Sequence, residues 1–226
     1  MGKRNGWKRE PRVWLNLRRP FTNEVELRKE REWPLKGTKW TKLYLHAGGK
    51  GKLDWTAPTV NRSKTFRALT RGLTWMSPPL KQETEVTGPM GAKLFISSST
   101  KDADLFVTVQ AFSPEGKEVY FQGTVDPKTP LAQGWLRASH RKIDPDKSRP
   151  WRPYHTHDDK QPLIAGKIYE LDLEIWPQCI VLPKGFRLAV NISGQDFDRP
   201  GPAVEAYVPS RGSGPFLHDH PTDRPK

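Results

Sequence analysis

The chain has 226 residues, 35% of them hydrophobic, and its 38 Lys and Arg against 25 Asp and Glu give a formal net charge of +13. No run nears the roughly 18 consecutive apolar residues of a membrane helix, and the basic start Met1-Gly2-Lys3-Arg4-Asn5-Gly6-Trp7 has no apolar segment behind it. Neither a membrane span nor a secretory leader is therefore expected. The lone Cys179 excludes an intramolecular disulfide and a cysteine-built zinc site, and a cytoplasmic protein is expected. Residues 1–52 hold 15 Lys and Arg but 5 Asp and Glu, so +10 of the charge sits there and +3 on the remainder. The charge thus belongs to one segment and not to the whole surface. With no recognition helix, zinc finger or RNA-binding aromatic motif beside it, nucleic acid is not an expected partner.

In chain order, 1–10 reads as a basic tail and 11–226 as one domain. The first strand candidate is 12–17, through Val13, Leu15 and Leu17. A helix is expected over 22–32, where Thr22 can cap and charged residues fill the turns up to Trp33-Pro34. Strands follow at 41–45, 65–69, 93–98 and 105–112, the last with Leu105, Val107, Val109 and Ala111 on one side. Ser113-Pro114-Glu115-Gly116 places Pro and Gly where a tight turn needs them, which joins 105–112 to 118–124 as a hairpin. The stretch 126–164, rich in Pro, Asp, Lys, His and Trp, reads as a long crossover loop with a short helix near 132–140. At 169–175, Tyr169, Leu171, Leu173 and Ile175 oppose Glu170, Asp172 and Glu174, the alternation of a strand with one wet face. Strand 186–193 repeats it after Pro183-Lys184-Gly185, and Cys179 lies in an apolar stretch that predicts a buried, inert thiol. Eight short strand candidates with long crossovers and little helix predict an all-β fold, a jelly-roll sandwich of two sheets.

Catalytic patterns are missing where they would have to stand. A nucleophile elbow needs Gly-x-Ser-x-Gly, whereas Gly212-Ser213-Gly214 brings its glycines adjacent, in a Pro/Gly-rich tail. Ser98-Ser99-Thr100-Lys101 fits Ser-x-x-Lys only formally, and reads as a strand end beside a turn. His155 and His157 alternate along an extended chain and can present two imidazoles to a metal; His218 and His220 repeat the spacing. Asp102 and Asp104 can offer oxygen ligands, although carboxylates in such a turn commonly cap backbone N–H groups. No cofactor is expected. The chain holds nine Trp, and Trp135, Trp151 and Tyr154 in the loop region are the candidate binding residues, either as a docking face or as a sugar-stacking face.

Several stretches together resemble one known family. They begin with Pro11-Arg12-Val13-Trp14-Leu15, Glu32-Trp33-Pro34-Leu35, Leu43-Tyr44-Leu45, Gly48-Gly49 and Leu53. Gly88-Pro89, Leu94-Phe95-Ile96-Ser97-Ser98, Asp102-Ala103-Asp104-Leu105 and Gly134-Trp135-Leu136-Arg137-Ala138-Ser139 follow. Pro162-Leu163, Gly166, the strand 169–175, Pro177, Gly185-Phe186-Arg187-Leu188 and Ile192-Ser193-Gly194 complete the series. In order and spacing these resemble the C-terminal domain of the cocaine esterase and X-prolyl dipeptidyl-peptidase family. The resemblance implies a galactose-binding-domain-like jelly roll that supports an α/β-hydrolase domain, walls its cleft and contributes to oligomer contacts. The family's Ser-His-Asp triad lies upstream of this domain, so no catalytic position is carried over. The expected partner is such a hydrolase domain or chain, with a homo-oligomer as a further expectation. The catalytic domain is not part of the sequence, and the closing strand past His218-Asp219-His220 is expected to be missing. A carbohydrate-binding module using exposed Trp and a self-standing acyl hydrolase are the other readings.

Overall fold

A computed structural model describes residues 5–123 and 128–197. Gly212-Ser213-Gly214, His218, His220 and the expected closing edge lie outside the described residues. The strands are β1 (Val13–Arg18), β2 (Val25–Glu30), β3 (Tyr44–His46), β4 (Lys52–Asp54) and β5 (Leu73–Met76). They continue with β6 (Thr84–Ile96), β7 (Asp104–Phe112), β8 (Ala132–Arg137), β9 (Tyr169–Leu182) and β10 (Arg187–Ser193). One sheet runs β2-β1-β9-β6 and the other β3-β4-β5-β10-β7-β8. The alternation read from the sequence becomes an all-β sandwich.

Period-two patterning explains which side of each strand is buried. In β9, Leu171, Leu173 and Ile175 point into the sandwich and Glu170 and Glu174 out of it. Opposite Pro177 the β6–β9 register shifts between Gly88 and Met90, a bulge that lets proline sit in a strand. Beyond it Gln178, Ile180 and Leu182 take the inward side. Ile180 and Leu182 meet Leu105, Val107 and Val109 of β7 and Leu188 and Ile192 of β10 in one continuous core. Each such aliphatic side chain contributes about 1.5–3 kcal/mol relative to exposure. A smaller cluster of Leu15, Leu17 and Val181 forms on the outer side of the four-stranded sheet, with Leu35 and Cys179 against it. Cys179 is half-buried and not fully buried, and burial raises its thiol pKa.

Four local expectations are corrected. The segment 22–32 is no helix: Val25–Glu30 is an edge strand paired antiparallel along the whole of β1, from Val13↔Glu30 to Arg18↔Val25. Thr22 does accept a backbone N–H, that of Glu24 at 3.0 Å, but this closes a turn and not a helical cap. At 132–140, β8 pairs with β7 and only Ala138–His140 is a single 3₁₀ turn, because Ala132, Gly134 and Leu136 alternate inward. Segment 65–69 forms no strand; Leu69 sits at φ 61, which a ladder does not allow, while Phe66 packs on the core. The hairpin after β7 closes, with Gly116 N–H donating to the Ser113 carbonyl at 2.9 Å. Its second arm, however, forms no strand: Glu118 bridges Phe112 of β7, and Phe121 bridges Thr129 instead.

Candidate docking surface

The β1–β2 ribbon extends beyond the sandwich, so its two faces have different environments. Residues paired across the ribbon share a face: Trp14 with Lys29, Asn16 with Leu27, Arg18 with Val25. The opposite face carries Leu15 and Leu17 into the small outer cluster and Arg28 into ion pairs with Glu85 and Glu30. On the first face only Arg18 is covered, by Gln178 and the Phe121 ring, and the row beyond it stands open. Trp14 is 46% exposed, Val25 48% and Leu27 62%, and Phe21 in the connecting turn 48%. Cations border this row, with Lys29 Nζ 4.9 Å over the Trp14 ring and Lys117 Nζ 4.5 Å over Phe21. An apolar stripe edged by ammonium groups suits a surface of apolar side chains edged by carboxylates.

The aromatic residues singled out from the sequence are placed differently. Trp135, in β8, meets Trp176 edge-on at 5.1 Å, and Trp151 stacks on Trp40 at 4.0 Å with 16° between the planes. Each thus spends ring surface on a different tryptophan. Tyr154 is 46% exposed, with Lys147 Nζ 4.9 Å over its ring. The loop that carries Trp151 lies on the outer side of β6, where a Cβ on Gly91 would stand 3.3 Å from the Trp151 Cα.

The histidines do converge, with a member the sequence did not reveal. His140 Nδ1 and His157 Nδ1 share a hydrogen bond at 3.1 Å, and the His155 and His157 rings lie 6.0 Å apart. Among the described residues no three His, Cys, Asp or Glu side chains are set to hold a metal ion. Asp102 accepts the backbone N–H of Ala103 and of Ser139, both at 2.9 Å, and Asp104 accepts Arg137 Nε at 2.8 Å. Both carboxylates are engaged in backbone capping or an ion pair. Ser98 is likewise in a local turn, accepting the Thr100 N–H at 3.1 Å.

Burial first, then the neighbouring His157, lowers the pKa of His140, against the opposing charge of Asp102. His155 is lowered by burial first, opposed by a hydrogen bond to the Asp172 backbone and then affected by His157 and His140. A lowered folded-state pKa means the unfolded chain binds more protons between that value and about 6.5. Stability contributed by the neutral imidazoles is therefore complete above about 6.5 and is lost as pH falls below it. Urea midpoints measured from pH 7.5 to 5 should decline, and His140→Asn should flatten the decline. A flat profile in the parent chain would contradict this assignment.

The described residues form a two-sheet β-sandwich whose β1–β2 ribbon presents apolar side chains to solvent. Residues 5–209 match the profile of the X-Pro dipeptidyl-peptidase C-terminal non-catalytic domain, and the chain belongs to that family. A Mycobacterium bovis protein bearing the name serine esterase is 33% identical over 146 residues, 60% of this chain and 22% of its own length. The cocaine esterase of a Rhodococcus species is 25% identical over 157 residues, 70% of this chain and 22% of that one. A CocE/NonD family hydrolase from Staphylococcus aureus superposes with a TM-score of 0.81 at 26% identity, covering 89% of this chain and 37% of that structure. An archaeal aminopeptidase from marine sediment shares the fold, with a TM-score of 0.60 at 18% identity over 81% of this chain and 33% of that one. The chain spans about a fifth of the length of the curated relatives it matches.

Proposed function

We propose that this chain is the supporting β-sandwich of a serine hydrolase of the cocaine esterase and X-Pro dipeptidyl-peptidase class. It docks an α/β-hydrolase domain or chain, helps wall the active-site cleft and contributes to subunit contacts, and it supplies no nucleophile. The observation that carries this reading is the uncovered row of Trp14, Val25, Leu27 and Phe21. Apolar side chains gathered on one side of a ribbon gain from a partner about 25 cal/mol for each Å² they lose to it. Lys29 and Lys117 at its border favour a partner patch edged with Asp and Glu.

Sedimentation velocity and anilinonaphthalene sulfonate fluorescence test the face on the isolated chain. The parent should bind the dye and self-associate with rising concentration, since a stripe meant for a partner pairs with a second copy when none is supplied. Leu27→Lys combined with Val25→Thr should abolish both without lowering the melting temperature. A parent chain that stays monomeric and dye-free at high micromolar concentration would overturn the assignment of this face.

A further inference from the structure

We propose that the outer face of the six-stranded sheet carries a second site, independent of the docking ribbon, for a neutral polyhydroxylated ring the size of one sugar residue. The register aligns Thr74 of β5 with Asn191 of β10, and Asn191 with Thr108 of β7, so the three share one face. Together with Gln110 and Ser193 they line a cavity of about 250 Å³. Outward positions on the central strands of a sheet covered on that side are normally apolar. Here Thr108 is 4% exposed, Ser193 4% and Gln110 8%. Burying such groups costs free energy unless hydrogen bonds offset it.

The bonds present hold these side chains in place. Asn191 Nδ2 donates to the Arg71 carbonyl at 2.9 Å and to Thr74 Oγ1 at 3.0 Å. Gln110 Nε2 donates to Glu118 at 2.7 Å, and Ser193 Oγ to the Gln195 carbonyl at 2.7 Å. The amide oxygens of Asn191 and Gln110 remain as acceptors, while the hydroxyls of Thr74 and Thr108 can donate or accept. Groups of both kinds at strand spacing suit hydroxyls, each of which donates and accepts at once. An acyl chain would find too little apolar lining. An anion would find one guanidinium, Arg71, against the Asp196 carboxylate and a set of amide and hydroxyl oxygens. Phe197 at the rim offers a ring to the C–H face of a saccharide.

Gly72 sets the wall. At φ +64 its Cα lies so close to β10 that a Cβ would stand 1.9 Å from the Ile192 carbonyl oxygen. The cavity lies toward the Ser193 end of β10, and Phe186, which meets Phe21 beside the ribbon, precedes the other end. Both faces can therefore be occupied together.

The test titrates the full ¹⁵N-labelled chain with the methyl glycosides of glucose, galactose and mannose, read by saturation-transfer difference and amide shifts. One contact-sized ring should bind at about millimolar affinity, with shifts in the Asn191 and Gln110 side-chain amides. Thr108→Val keeps the shape and removes the hydroxyl, and should weaken binding about tenfold. Thr74→Val, at an exposed position on the same rung, should weaken it as well and guards against a variant that does not fold. Trp135→Ala and Trp151→Ala should leave affinity unchanged. No transfer from any glycoside, full affinity in folded Thr108→Val and Thr74→Val, or shifts centred on the tryptophan pairs would each overturn the proposal.

Discussion

Gly134→Ala is expected to destabilise the domain by at least about 3 kcal/mol, a large part of the 5–15 kcal/mol typical of a folded domain. Gly134 lies on the inward side of β8, where the two sheets converge and do not keep the usual separation of about 10 Å. A Cβ there would stand 2.0 Å from the Glu174 carbonyl oxygen and 2.8 Å from Leu173 Cδ2. The oxygen belongs to β9, whose backbone is held by its antiparallel pairing with β6 at Gly91↔Glu174. Neither strand can give way without breaking a ladder. Gly116→Ala is the control: its φ of +83 favours glycine, but no atom stands within 4 Å of the new Cβ. It should cost about 1 kcal/mol. Urea denaturation of both variants reads the difference, and a Gly134→Ala midpoint equal to the parent's would refute the close approach.

Gln178→Leu is the second large effect, at about 3 kcal/mol. Gln178 is 2% exposed, just past the β9 bulge, and ties three segments together. Its oxygen accepts Arg18 of β1 and the Cys179 N–H at 2.8 Å, while its amide donates to the Leu131 carbonyl ahead of β8. The Arg18 guanidinium also lies 3.9 Å from the Phe121 ring centre, and burial lowers its pKa. Leucine would fill the space and leave this half-buried cation without its acceptor. Arg18→Met in the same chain should restore part of the loss, because an apolar pair costs less than a stranded charge. Single variants whose losses simply add in the double variant would argue against a shared network.

The core was legible because it follows alternation: 105–112, 169–175 and 186–193 each show a period of two long enough to exclude a helix. The edge strand was not. Val25-Glu26-Leu27-Arg28-Lys29-Glu30 is as charged as a solvated helix, and only its pairing with β1 makes it a strand. The strands β4 and β5, at three and four residues, are too short to show a period. The candidate surfaces were hidden for a related reason. Trp14 and Leu27 are core-forming residue types, and nothing local says that this ribbon extends past its cover. His140 reaches His157 only because the 3₁₀ turn Ala138–His140 directs it there. Thr74, Thr108 and Asn191 come from three distant segments that only sheet order brings side by side. Of the two carboxylates Asp102 was readable, since it caps backbone N–H groups as its neighbours suggest, whereas the ion pair of Asp104 with Arg137 depends on the pairing of β7 with β8.

Labelling the purified chain with a fluorophosphonate probe, beside turnover of p-nitrophenyl esters and Xaa-Pro anilides, tests the central claim most directly. A supporting domain without a nucleophile takes no label and turns over neither substrate. Stoichiometric labelling of one serine together with turnover would contradict the account and make this chain a hydrolase in its own right.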